Sequence, residues 1–492
     1  MVDADDLLAE RARCFLRAAF VVLEGQHVLP PPRFHPYLKV GRDYFGPDLM
    51  SLEEFVSLET AINQRHPRFS EETPLMDRDF ANGYIFSFLE ASVARIARAG
   101  SEMRPEVPQV EECIAALAAE VDAECWEVAC CREVCHLSTS DGQPLDISGV
   151  YVLPINAEPA GHSREAARII DSVIPNGLSA FGRGSPGGWA PPQSIVVAKE
   201  KSVEPFEAGR LLSGRIEQFL LASRLLYAGT CESLYEVQGE TSPVRRFDPI
   251  LEHFQGGGVG SASGTRMVRR TVRLGESDVA AFDGLLAALR SANPHRENMM
   301  MTSFTVALHK FQSSYHAYRW DEQVVDLATA FEASLSGTAK NEVLLRLRTR
   351  SAALLATDHD PAGAVFRDVG LLYDLRSTLV HGGDLPEKKL RKIVSAISTV
   401  PDGAMFGVAI GHAVDRLRDL VRRSLLARIC LAHGSDPLWA LGGDAGVDEQ
   451  LADDDTRHRW RAAWRDVLES FGAASAADRA LAAVDFISPH DR

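Results

Sequence analysis

An arginine and a histidine held a turn or so apart can together handle a phosphodiester. The imidazole titrates near neutral pH and can move protons, while the guanidinium stays charged and can grip two phosphate oxygens. The spacing Arg-x4-6-His occurs four times in this chain: Arg246 to His253, Arg290 to His295, Arg376 to His381 and Arg428 to His433. Spacing alone therefore decides nothing. The first crosses Asp248-Pro249 and the second Asn293-Pro294, both loop signals. The fourth ends a helical pattern before Gly434, and only its context separates it from the third.

Arg376 and His381 have the more informative setting. Leu371, Leu372, Leu375 and Leu379 recur at helical spacing, and Gly382-Gly383 supplies a stop. Residues five apart on an ideal helix point roughly 140° away from each other. A histidine beside a glycine pair can leave helical geometry and swing back toward the arginine. The same residue types also serve without chemistry: Arg376 as a salt bridge to Asp374 or Asp326, His381 as a C-terminal cap favoured by the helix dipole. Glu332, within an otherwise apolar helix face, either orients Arg376 or is solvated. Tyr373 reads as packing.

The elements that must carry these residues divide the chain into parts. Residues 1–123 show helical patterns, interrupted by Leu29-Pro30-Pro31-Pro32. Residues 124–297 are strand-rich α+β, with strands at 125–135, 149–155 and 194–200 and a helix over 207–227. Residues 298–472 are helical nearly throughout, with turns at Asp358-His359-Asp360-Pro361 and Asp384-Leu385-Pro386, which predicts a compact all-α bundle. Residues 473–492 form a tail. The expected class is α+β.

Composition narrows the partners. The chain has 492 residues, 46% of them hydrophobic, and a net charge of -16. So acidic a chain repels nucleic acid over most of its surface, and any RNA site must be local. Lys388, Lys389, Arg391 and Lys392, just after the Arg/His helix, are one local basic run; Arg266, Arg269, Arg270 and Arg273 are another. Either run also fits a merely solvated face. The glycine-rich run 256–265 lacks the lysine of a phosphate-binding Walker loop and reads as a hairpin or linker. Cys125, Cys130, Cys131 and Cys135, followed by His136, lack a second spaced pair, so they read as small hydrophobes of a strand and no metal or cofactor is expected. No stretch approaches a membrane span, and the acidic start is unlike a secretory signal; the expectation is a cytoplasmic protein.

Three ordered motifs on successive helices resemble the HEPN superfamily of helical nucleotide- and RNA-associated domains, in the version typified by ApeA-like antiphage proteins. They are Asp321-Glu322-Gln323-Val324-Val325-Asp326-Leu327-Ala328-Thr329-Ala330-Phe331-Glu332-Ala333-Ser334-Leu335, then Arg350-Ser351-Ala352-Ala353-Leu354-Leu355, then Tyr373-Asp374-Leu375-Arg376-Ser377-Thr378-Leu379-Val380-His381-Gly382. The resemblance covers residues 311–432 and extends more weakly to the strand-rich region ahead. It implies a metal-independent endoribonuclease, a toxin-like or antiphage defence effector, whose site forms across a homodimer from Arg376 and His381 of both subunits. Ser377 takes the usually polar position after the arginine, and Glu332 and Asp326 are the supporting acids. Substrate RNA and a phage-derived trigger are the implied partners. A noncatalytic HEPN module that binds a nucleotide or a partner is the rival.

Overall fold

The computed structural model describes residues 4–25, 46–65, 79–99, 104, 107–123, 125–154, 194–202, 205–227, 231–240, 248–250, 267–269, 271–292, 302–317, 319–336, 342–380, 387–441, 443, 446–478 and 484–486. It is mostly helical, with a small, largely antiparallel sheet in the middle and a helical C-terminal region, in keeping with an α+β class. No helix among the described residues is long and apolar enough to cross a membrane.

Five helices open the chain: α1 (Ala4–Gly25), α2 (Gly46–Met50), α3 (Glu53–Arg65), α4 (Asp79–Ala99) and α5 (Pro108–Val121). In α1 the apolar residues Leu8, Ala12, Phe15, Leu16, Ala19, Phe20 and Leu23 recur every three or four positions and are all buried. They meet Phe55, Leu58 and Ile62 of α3, Phe86 and Val93 of α4, and Leu117 of α5 in a core of their own. Phe55 lies within it, 5.7 Å from Phe15 edge-on and 5.5 Å from Phe86. Arg13 forks onto Glu111 and Arg65 onto Asp122, tying α1 and α3 to α5 and its end.

The central sheet uses β1 (Trp126–Cys135), β3 (Leu145–Ile147), β4 (Val150–Pro154), β5 (Ser194–Ser202), β6 (Glu232–Glu240) and β7 (Asp248–Ile250), in the order β3-β4-β5-β1-β6-β7. Every pairing in it is antiparallel. β2 (Leu137–Thr139) pairs in parallel with β9 (Val272–Leu274), while β8 (Met267–Arg269) pairs with β10 (Val484–Phe486) near the C-terminus. Cys130, Cys131 and Cys135 of β1 are buried as small apolar residues. One long helix, α6 (Pro205–Tyr227), covers a face of the sheet with Leu212, Ile216, Phe219 and Leu220.

The helical region follows: α7 (Val279–Ala292), α8 (Ser303–His316), α9 (Trp320–Leu335), α10 (Val343–Leu355), α11 (Ala362–Val380), α12 (Glu387–Ser395), α13 (Phe406–Leu431), α14 (Val447–Ala452) and α15 (Asp454–Ser470). Its core is continuous with that of the sheet. Phe219 of α6 stacks on Phe282 of α7 at 5.1 Å, and one apolar cluster runs from Val128 to Ala477.

Helix α13 is the axis of the bundle. From Ala409 to Leu431 every residue is buried except half-buried Asp415, although the helix carries Arg416, Arg418, Arg422, Arg423 and Arg428. Guanidinium groups survive burial only with partners. Arg416 forks onto Asp360 at 2.8 and 2.8 Å and reaches Asp368 at 2.8 Å. Arg423 donates to Asp360, Asp419 and the Leu355 carbonyl. Arg422 joins Asp419 to the carbonyls of Leu225, Ala476 and Asp478. Burial pushes the Asp360 carboxyl up, but the hydrogen bonds and charges of Arg416 and Arg423 together outweigh it and hold the group below the usual carboxylate range. The turn read at Asp358-His359-Asp360-Pro361 is present, closed by reciprocal backbone bonds between Thr357 and Asp360, and its Asp360 is the anchor of this network.

Candidate functional site

Helix α11 positions the arginine of the Arg/His pair. Val365, Val369, Leu372 and Leu375 are buried toward the bundle, which leaves Arg376 half-buried on the flank that faces α9. The described part of the helix ends at Val380, so His381 lies outside the described residues, as do the glycine-rich run 256–265 and the cations Arg266 and Arg270.

Arg376 reaches Glu332 on α9, with Nη2 to Oε1 at 3.8 Å. That is close enough for charge attraction and too long for a hydrogen bond. Arg376 Nε and Glu332 Oε1 are both buried without a hydrogen-bond partner. The guanidinium also lies 5.7 Å from the centroid of the Tyr373 ring. Burial first, then the Glu332 charge, raise the Tyr373 phenol above its ordinary value, partly offset by the positive charge of Arg376. Tyr373, Glu332 and Arg376 thus form one cluster, and the phenol in it remains a hydrogen-bond donor.

The acids named as alternatives for Arg376 are placed elsewhere. Asp326 accepts from Lys310 of α8 at 2.8 Å. It sits six residues before Glu332, about 9 Å along the helix axis. Asp374 is exposed on α11, and its backbone carbonyl accepts from Thr378. Of the supporting residues read from the sequence, Glu332 meets Arg376 and Asp326 does not. Ser377 is half-buried beside them in sequence.

Helix α12 packs against α11 and carries the basic run. Leu390 and Val394 are buried, and Lys388, Lys389, Arg391 and Lys392 are exposed on the opposite side. Arg391 pairs with Glu387 and lies 4.9 Å from the Phe406 ring centroid. Among the described residues no carboxylate lies within ion-pairing distance of Lys388, Lys389 or Lys392. These three amines are available to an anion. Arg273, of the second basic run, is exposed on β9.

Sequence reasoning missed the arginine network of α13 and the participation of Tyr373. A signal for the first was present: Asp415, Arg416, Arg418, Asp419, Arg422 and Arg423 alternate in sign at helical spacing within an apolar helix. Nothing in the spacing of Tyr373 marks it, because its partner Glu332 lies two helices away. Among the described residues no group of three His, Cys, Asp or Glu side chains converges as a metal site would require. Compared with protein-family models, curated proteins and solved structures, the chain matches none.

Proposed function

We propose that this protein is a metal-independent endoribonuclease of HEPN type, acting as a toxin-like or antiphage defence effector. In this reading Arg376 stabilises the negative charge that builds on the non-bridging phosphate oxygens as the RNA 2′-hydroxyl attacks, and His381 moves the protons. The observation that carries it is the state of Arg376. The arginines of α13 are buried and engaged by carboxylates or carbonyls, whereas Arg376 is partly exposed and, among the described residues, its one carboxylate contact is a loose 3.8 Å. The lysines of α12, on the adjacent helix, supply local positive charge that a net charge of -16 otherwise denies to RNA. A second subunit would bring a second Arg376 and His381 to the same cleft and divide the acid and base roles. A phage-derived component would be the trigger.

The test compares RNA integrity in the presence of wild type, Arg376→Ala and His381→Ala, with EDTA added. The expected result is cleavage that survives chelation and falls by at least about a hundredfold in each variant, the scale of losing one electrostatic or proton-transfer group. Undiminished cleavage by either variant rejects the assigned site. RNA binding without cleavage by wild type leaves the noncatalytic module in its place. A mass measurement in solution checks the dimer, and a strict monomer that cleaves RNA would rule out the shared cleft.

A further inference from the structure

We propose that Glu332 gates the Arg376 site: its carboxylate stands where an RNA phosphodiester would bind, and RNA engages Arg376 by displacing Glu332 onto Tyr373. The inference rests on the reading of Arg376 as the RNA contact.

Three features of the site point this way. First, the pair is unfinished. Most other arginine–carboxylate pairs among the described residues close to hydrogen-bond distance, as in Arg416 with Asp360 at 2.8 Å, Arg350 with Asp448 at 2.6 and 2.8 Å, and Arg13 with Glu111 at 2.7 and 2.8 Å, with Arg346 and Asp448 at 3.5 Å an exception. Arg376 and Glu332 stop at 3.8 Å, and each retains a buried atom with no hydrogen-bond partner. Unmet donors and acceptors of this kind are costly, and a ligand able to complete them is favoured.

Second, the pair is reachable. Both side chains keep about a quarter of their surface exposed, 24% for Arg376 and 25% for Glu332, in contrast to 0% for Arg416 and Asp360. A phosphodiester presents two oxygens that fit the Nε and Nη edge of a guanidinium in parallel; because Nε is buried here, the exposed part of the group is met first and Nε only once the side chains around it move aside. Two anions cannot share that edge without repulsion, so the carboxylate must yield.

Third, a receiver is in place. The Tyr373 phenol is beside Glu332 and remains protonated, because burial and the Glu332 charge both oppose its ionisation. It can hold the released carboxylate by a hydrogen bond without neutralising it. Tyr373 and Glu332 are then positioning residues and make no contact with the reacting atoms.

The experiment measures binding of a fluorescently labelled 2′-O-methyl RNA oligonucleotide, which cannot be cleaved by its own 2′-oxygen, to the full chain. Glu332→Gln keeps the shape and removes the charge; Glu332→Ala is the second variant. Both are expected to bind about tenfold tighter than wild type, since a competing charge has gone. The gain should vanish when Arg376→Ala is added, and Tyr373→Phe should bind several-fold more weakly than wild type, on the scale of one lost hydrogen bond. Equal or weaker binding by both Glu332 variants, or a gain that persists without Arg376, overturns the gate. Failure of the nuclease reading is seen separately. A protein that shows this binding pattern yet leaves unmodified RNA intact retains the gate and loses the catalysis, whereas an Arg376→Ala variant that binds like wild type removes both.

Discussion

At the scale of single residues, the chain uses arginine in two opposite ways. Asp360 is completely buried and accepts from both Arg416 and Arg423. Removing its charge leaves two buried guanidiniums under-paired, so Asp360→Asn is expected to lower unfolding free energy by about 3–5 kcal/mol, the cost of breaking a buried pair. Urea denaturation followed by circular dichroism measures it. Acid removes the same charge by protonation. Because folded Asp360 protonates at lower pH than unfolded aspartate, its stabilisation is complete above the ordinary value near 3.8 and is lost only as pH falls through the lower folded value. Asp448 adds to the same loss, held low by its hydrogen bonds from Arg350, against burial, with help from the charges of Arg350 and Arg346. Melting temperature measured against pH should therefore hold level across the range around neutrality and drop steeply below about pH 4, in the range where carboxylates titrate. A midpoint of acid loss near pH 6 would assign it to histidine instead.

At the scale of elements, α12 and α7 give separate tests. Joint replacement of Lys388, Lys389 and Lys392 by alanine removes three exposed charges and no packing. If they contact RNA, affinity falls and the slope of log affinity against log salt shrinks by about 2, roughly 0.7 for each single-strand phosphate contact. The melting temperature should stay unchanged. On α7, a Cβ at Gly284 would meet the Phe471 ring at 2.6 Å. Gly284→Ala should destabilise the fold by about 1–3 kcal/mol through overpacking.

Much of this level was legible beforehand. Helices α9, α11 and α13 lie where apolar spacing and turn residues put them, because burial of one stripe every 3.6 residues is a local property of sequence. Strand β1 was readable from its β-branched and small apolar residues, but not its central place in the sheet, since its partners β5 and β6 begin 59 and 97 residues beyond its end at Cys135. Arg376 was singled out from its setting. Its contact with Glu332, and that of Asp326 with Lys310, depend on how three helices rotate against one another, which no single helix encodes. The α13 arginines escaped notice for a related reason: a charged residue reads as solvated until the fold supplies buried partners.

At the scale of the whole molecule, apolar packing divides the chain differently from composition. Helices α1 to α5 close a core of their own, while the sheet and the later helices share one. Scanning calorimetry of the full chain should resolve two transitions, with the smaller unaffected by Asp360→Asn. A fragment beginning at residue 298 would lack Phe219 and Phe282 and expose the side of α13 that packs on α6 and α7. It is expected to aggregate, which dynamic light scattering would detect. A monodisperse, cooperatively melting fragment would show that the bundle stands alone.

The crossed partnership of Asp360, Arg416 and Arg423 also limits the routes open to neutral drift. Asp360 serves both guanidiniums, which lean further on Asp368 and Asp419, so a solitary change strands a charge, whereas simultaneous exchange of the buried charges for apolar side chains of similar volume can be tolerated. Across homologous chains these three positions should covary as a block.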